Sequence, residues 1–475
     1  YVTGRSGSHN PYKDYATVAY DADGNERWVA RYNGPADNSD SATAIAVDGW
    51  RNVYVTGQSK GVGTETDYAT VAYDFNGNER WIKRFDGPSS GSDLAYGLAV
   101  DSVGNVYVTG RSWNDSTSTD YATVAYDSDG NERWVRTYDG PGSGVDWASA
   151  VAVDHSGNVY VTGYSAANLT GDDYATVAYD CNGNERWVRR FDGPASRNDH
   201  ATAIAVDGSG NVYVTGHVTV NTSDFKDYAT VAYDSNGNER WVRTYDGPAG
   251  GGDGATAVDA DNAGNVFVTG TVSGGAAYRD YATVAYDFNG DELWARLYDG
   301  PASINDDANA IAADGWGNVY VTGGSAGNIY DYATVAYDRN GDQQWVRRYD
   351  GPASREDHAT AITVGGSGNV YVTGWCDVAG ADLDYATIKY ETSTGVTLMR
   401  DKSVQTLDPP PRKSDFLPMD PISDAYIDVS PGAKDPDIGI LSNTSSPLVF
   451  YQLAPSGPVL TIIGTRAGDT VQFLF

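Results

Sequence analysis

Asp199-His200-Ala201-Thr202-Ala203-Ile204-Ala205-Val206-Asp207-Gly208-Ser209-Gly210-Asn211-Val212-Tyr213-Val214-Thr215-Gly216, taken up again by Asp227-Tyr228-Ala229-Thr230-Val231-Ala232-Tyr233 and Glu239-Arg240-Trp241-Val242-Arg243-Thr244-Tyr245, contains four short extended runs. The runs from Asn211, Asp227 and Glu239 are dense in β-branched and aromatic residues, as strands are. The first, from Ala201, is alanine-rich. Asp207–Asn211 and Asp234–Asn238 read as tight hairpins, because an Asp side chain bonds backbone N–H groups ahead of it and Gly supplies a left-handed residue. Helical periodicity is absent.

The same pattern recurs along the chain. Tyr-Ala-Thr-Val-Ala-Tyr begins at Tyr15, Tyr68, Tyr121, Tyr174, Tyr228, Tyr281 and Tyr332, with a variant at Tyr385. Tyr/Phe-Val-Thr-Gly begins at Tyr1, Tyr54, Tyr107, Tyr160, Tyr213, Phe267, Tyr320 and Tyr371. Eight copies near 50 residues apart, with four strands each, predict an all-β fold, a β-propeller of eight four-stranded blades over residues 1–402. Blades converge at the axis, so the innermost strand needs small side chains. Alternating Ala42, Ala44 and Ala46, or Ala201, Ala203 and Ala205, mark that strand. The fourth run, carrying Trp187 or Trp241, is outermost, and its rings fill the gap where blades splay.

With this strand order the first blade begins at its second strand. Residues 403–422, with Pro409, Pro410, Pro411, Pro418 and Pro421, read as a stiff linker to a short β-rich tail over 423–475. Two readings of the tail stand open. Asp424-Ala425-Tyr426-Ile427-Asp428-Val429 supplies the missing inner strand of blade one and closes the ring, or the tail begins a further module. Because Tyr1 opens inside a repeat, the chain is expected to be a processed or truncated product.

The 475 residues carry a formal net charge of −32. Such a surface repels phosphate backbones, which argues against nucleic-acid partners, and favours divalent cations, salt or simple solubility. The only two cysteines, Cys181 and Cys376, form no CxxC or Cys/His cluster, which leaves no pattern for structural zinc, c-type haem or thioredoxin chemistry. No apolar run is long enough for a transmembrane helix.

The copy from Asp199 to Gly216 closely resembles the SBBP-type β-propeller repeat, and the pattern extends over residues 1–402. That resemblance implies a propeller in a large secreted or cell-surface protein. It carries no agreed catalytic residues, and fold alone does not settle function.

Inner and third strands start on one face, which therefore also holds the variable second-to-third loops, the usual place for recognition. Asp40, Asp93, Asp146, Asp199, Asp253, Asp306 and Asp357 each precede an inner strand. Symmetry predicts a ring of them at the channel mouth, a candidate site for Ca²⁺. The alternative is that each caps its loop and pairs with an arginine such as Arg190 or Arg348. No cofactor is otherwise required. The turns Asp21-Ala22-Asp23-Gly24 and Asp127-Ser128-Asp129-Gly130 superficially resemble calcium loops, but hairpin chemistry explains them. Asn114, Asn168, Asn221 and Asn443 open N-glycosylation sequons. Trp113, Tyr278, Tyr330 and Trp375 are candidate ligand contacts in or beside the variable loops. His200 and His358 occupy equivalent positions next to the aspartates.

Three functional classes follow. The first is a non-catalytic extracellular or cell-surface scaffold for adhesion, envelope or filament structure, self-assembling or engaging other surface proteins. The second is a lectin-like module that binds glycans or proteins through the variable face. The third is an enzyme: Asp-x-x-Gly-x-x-x-Trp is faintly similar to quinoprotein dehydrogenase propellers, but the adjacent cysteine pair often found in those is missing. Near-interchangeable blades also lack the asymmetry an active site needs, so the expectation is no enzyme.

Overall fold

The computed structural model describes residues 1–7, 12–142, 144–168, 171–221, 225–274, 278–302, 304–327, 329–353, 355–377, 384–391, 396–399, 440–441, 449–454 and 457–461. All regular elements among them are strands, and no described helix is long and apolar enough to cross a membrane.

Eight antiparallel sheets form eight blades. Blade 1 has Val2–Gly7, Lys13–Tyr20 and Glu26–Tyr32. Blade 2 comprises Ser41–Val47, Val53–Lys60, Thr66–Tyr73 and Glu79–Phe85. Blade 3 is Leu94–Val100, Val106–Asn114, Ser118–Tyr126 and Glu132–Tyr138, and blade 4 is Asp146–Val153, Val159–Ala167, Gly171–Tyr179 and Glu185–Phe191. Blade 5 is His200–Val206, Val212–Thr219, Lys226–Tyr233 and Glu239–Tyr245, followed by blade 6, with Gly254–Ala260, Val266–Ser273, Arg279–Tyr286 and Glu292–Tyr298. Blade 7 is Asp306–Ala313, Val319–Ala326, Tyr330–Tyr337 and Gln343–Tyr349, and blade 8 is Asp357–Val364, Val370–Cys376, Asp384–Tyr390 and Val396–Met399. Strands lie in sequence order within each blade. Blade 1 holds three strands among the described residues, its first pairing only with its second. The candidate closing segment Asp424–Val429 falls outside the described residues. Residues Tyr1–Val404 form one compact unit and Gln405–Phe475 another. In the second, Ile440–Leu441, Val449–Ala454 and Gly457–Thr461 form a small antiparallel sheet.

Each motif of the repeat does a specific job. Inner strands carry a bulge that skips one residue, as at Thr43 and Thr202. There the second strand's glycine passes so close that a Cβ on Gly216 would lie 2.0 Å from the His200 carbonyl oxygen, which is why Tyr-Val-Thr must end in Gly. The central threonines of strands two and three pair across every blade, as Thr162 and Thr176 do at 3.0 Å. In the first hairpin, Asp207 Oδ1 accepts the Ser209 and Asn211 amides while Oδ2 accepts Asn211 Nδ2 and the Tyr213 hydroxyl. Asp21 and Asp127 make the same amide and Asn bonds, which accounts for both turns as hairpins.

The remaining constant side chains face the next blade. The third-strand tyrosine of each of blades 1–7 donates to an alanine carbonyl one blade on, from Tyr15 to Ala69 at 3.2 Å through Tyr332 to Ala386 at 3.3 Å. Trp134 Nε1 donates to Cys181 O and Trp187 Nε1 to Ser235 O. Under Trp187 lies Gly237, with φ of +78° and an added Cβ only 2.6 Å from the indole. That glycine is needed both for the turn and for the tryptophan. The seam between blades 8 and 1 is packed the same way: Tyr385 lies over Gly4 as Tyr15 lies over Gly57. Its hydroxyl has no hydrogen-bond partner, while Lys389 Nζ reaches the Ala22 carbonyl at 3.3 Å.

The tryptophans should therefore outweigh the hydroxyls in stability. Trp187→Ala is expected to cost about 3–5 kcal/mol and Tyr174→Phe only about 1 kcal/mol. Equilibrium urea unfolding of the two variants checks this, and equal costs would contradict the account.

Candidate functional site

The seven aspartates that precede inner strands are not drawn together with one another. All are almost fully buried, and each holds the link that brings the chain into its blade. Asp199 Oδ2 accepts the Gly193 amide at 2.5 Å and Oδ1 the Thr219 amide at 2.7 Å. Asp40, Asp93, Asp146, Asp253, Asp306 and Asp357 bind the equivalent glycine amides. The arginines expected beside them take other partners: Arg190 pairs with Asp173 at 2.9 Å and Arg348 with Asp331 at 2.8 Å. Where inner-strand aspartates have carboxylate neighbours, these come from the same blade junction. Examples are Asp120, Asp139 and Asp146, or Asp227, Asp246 and Asp253, with one oxygen of each residue within 4.8 Å of the others.

Besides the second-to-third loops, one cross-strand pair varies strongly from blade to blade. It joins the residue just before the inner-strand bulge alanine to the residue just after the second-strand glycine. The pairs are Ser41–Gln58, Leu94–Arg111, Trp147–Tyr164, His200–His217, Gly254–Thr271 and His358–Trp375, with Asp307 opposite Gly324 in blade 7. They lie at the strand ends that carry the variable loops. In blades 3–5 they build a column of rings: Tyr96 on Trp147 at 4.9 Å, Trp147 on Tyr164 at 5.9 Å, Tyr164 on His200 at 4.0 Å, then His217. The Arg111 guanidinium lies 4.1 Å from the Trp147 ring centre. His200 Nε2 faces Asp172 at 3.2 Å, and Lys226 Nζ meets His217 Nε2 at 2.9 Å. Burial, with Lys226 and His200 beside it, pushes His217 down to about 3, so the ring is neutral and accepts from the lysine.

A second column joins two of the expected contacts, Tyr330 and Trp375, through His358 between them at 4.7 and 4.5 Å. Tyr330 also donates to Asp307. The other two expected contacts stand apart. Trp113 and Tyr278 are exposed on blades 3 and 6, and the Trp113 indole donates to Asp115. Tyr96, Trp147, Tyr164 and His217 were not anticipated. Aligning the repeats column by column would have exposed their variability, although their contact depends on the register. Of the sequons, the Asn114 amide donates to buried Asp120 and that of Asn168 to the Pro141 carbonyl. Asn221 is exposed, and Asn443 lies outside the described residues.

Titration follows from this burial. Burial pushes Asp199 and Asp357 up to about 6, and it does the same to Asp227 and Asp280, helped by carboxylate neighbours. Between about 3.8 and 6 these groups hold protons that the unfolded chain has released, so stability falls as pH rises through that window. The hairpin aspartates Asp21, Asp74 and Asp180, held down by the Asn side chains, lose their contribution when protonated at lower pH. The melting temperature is therefore expected to rise from pH 7 to pH 5 and to fall again below about 3.8. A steady decline from pH 7 downward would refute this.

The sequence profile of the SBBP β-propeller repeat matches residues 81–116, 137–170 and 187–220. Regulatory protein FlaEY of Caulobacter vibrioides is 29% identical over 191 residues, which make up 35% of this chain and 19% of that protein. The match thus spans about a fifth of that relative's length. Similar solved structures include Sqt1 from Chaetomium thermophilum, with 12% identity, coverage of 76% of this chain and 84% of that one, and a TM-score of 0.47. The periplasmic gluconolactonase PpgL of Pseudomonas aeruginosa has 15% identity, coverage of 75% and 97%, and a TM-score of 0.45. Three repeats of this chain thus match the SBBP β-propeller repeat.

Proposed function

We propose that this propeller is a non-catalytic binding scaffold of the extracellular or cell-surface kind, recognising its partner through the rim formed by the variable cross-strand pairs and loops. The observation that supports this is the division of labour within each blade. Constant tyrosines, tryptophans and hairpin aspartates are consumed in holding strands and blades together, while one opposed pair per blade varies on a common face. Variation confined to one face of a rigid frame is how recognition surfaces are built. Acidity and the loop sequons accord with an exposed setting. In both columns the rings already stack on one another, which leaves mainly edges and flanking charges for a ligand. This favours a protein partner in the envelope or adhesive layer over a sugar lying flat on an aromatic platform.

Binding of the labelled chain to purified envelope proteins, run beside a glycan array, tests the proposal. Trp147→Ala combined with Trp375→Ala should weaken binding about 10-fold or more, as loss of aromatic anchors does. Trp50→Ala with Trp316→Ala, in hairpins of the opposite face and 61% and 70% exposed, should leave it unchanged. The reverse pattern would overturn it.

A further inference from the structure

Blades 2, 4 and 7 carry an internal cation that blade 3 lacks. Arg84, Arg190 and Arg348 stand opposite Ala69, Ala175 and Ala333 on the neighbouring third strand. From there each guanidinium reaches the aspartate that opens that strand: Asp67 at 2.7 Å, Asp173 at 2.9 Å and Asp331 at 2.8 Å. In blade 3 the register is the same, but Thr137, exposed, stands opposite Ala122. Its aspartate, Asp120, is only 4% exposed. Asn114 Nδ2 and Thr117 Oγ1 both donate to Oδ2, at 3.0 and 2.8 Å. Oδ1 is buried without any donor. The corresponding oxygen is without a donor in Asp67 and Asp173 too, but there an arginine meets the carboxylate's charge.

A buried carboxylate oxygen without a donor is costly, and a cation relieves the cost. Asp139, exposed, and Asp146, fully buried, each place an oxygen within 4.8 Å of one on Asp120 and of each other. Oxygens about 2.3–2.6 Å from a common centre span just such separations, and Ca²⁺ takes oxygen ligands at that distance with waters completing its shell. We propose that Asp120, Asp139 and Asp146, at the junction of blades 3 and 4, form a site for a divalent cation of the Ca²⁺ class, where the ion does for blade 3 what an arginine does for blades 2, 4 and 7. The open side at Thr137 and Asp139 gives the ion its route in. The site differs from a ring at the channel mouth: it is a carboxylate group at one blade junction, set apart from the equivalent groups by the donorless buried oxygen of Asp120 without an arginine, and its effect is to tie two blades.

Equilibrium dialysis of the full chain with radioactive calcium at physiological salt tests this, alongside thermal melts in EDTA and in calcium. The parent chain should bind calcium saturably and melt higher with it. Thr137→Arg supplies the missing guanidinium. It should bind one ion fewer than the parent and melt higher than the parent in EDTA. Asp139→Asn, a surface change that spares the fold, should also bind one ion fewer and lose part of the calcium-dependent rise. No saturable binding by the parent at millimolar calcium, or unchanged stoichiometry in both variants, overturns the assignment. The readout is ion binding, so it stands or falls separately from partner recognition at the rim.

Discussion

Everything in this molecule depends on the contact between one blade and the next. A four-stranded sheet this small, with two apolar faces, is not stable alone; it becomes so when a neighbour covers each face. The clusters that do this draw on both blades: Tyr160, Tyr174 and Trp187 of blade 4 pack with Val212, Val214, Val231 and Tyr233 of blade 5. Hydrogen bonds point the same way, from tyrosine hydroxyl and indole N–H to backbone carbonyls of the following blade. Glycines at the receiving end admit the rings.

This explains why the repeat varies so little and where it can vary. A residue that bonds another is costly to change without its partner. Ser165 and Arg190 show the coupling: the serine hydroxyl and carbonyl both take the guanidinium, and Ser59 serves Arg84 likewise. Blades 5 and 6 have Val218 with Thr244 and Val272 with Leu297 at these places, whereas blade 3 keeps Ser112 with Thr137 and leaves its buried hydroxyl without a partner. The pair beside the inner-strand bulge has no such obligation and accommodates Trp, His, Leu, Gly or Asp.

Much of the fold was legible in the sequence because its signals are local. Period, strand composition, the Asp-x-x-Gly-Asn hairpins and the alanine-rich inner strand are each read within a few residues, and the innermost and outermost assignments followed from size alone. The site was less legible because its parts meet through register and burial. Seven aspartates in equivalent positions suggested a ring, yet each turns inward to amides of its own link, since a loop with unpaired N–H groups needs an acceptor more than a channel needs charge. Trp147 and Tyr164 lie 17 positions apart and become neighbours only once the bulge sets which residue faces which. Asp120, Asp139 and Asp146 likewise belong to three different segments. Tyr330 and Trp375 stand out in the sequence because aromatics in variable loops are conspicuous; His358, which stacks between them, reads there only as a repeated position.

The tyrosine-hydroxyl and indole bonds between blades run in one direction around the ring, donor on the earlier blade and acceptor on the later, while Arg84, Arg190 and Arg348 donate back to a tyrosine of the blade before. Every blade therefore offers the same leading edge and accepts the same trailing edge, like links cast from one mould. A repeat gained or lost by recombination within the gene would still meet matching neighbours on both sides, whichever copy it came from. Fit between adjacent units sets no limit on their number. Only curvature and closure do so, and the seam where Tyr385 meets Gly4 is the one place where the count of eight is enforced.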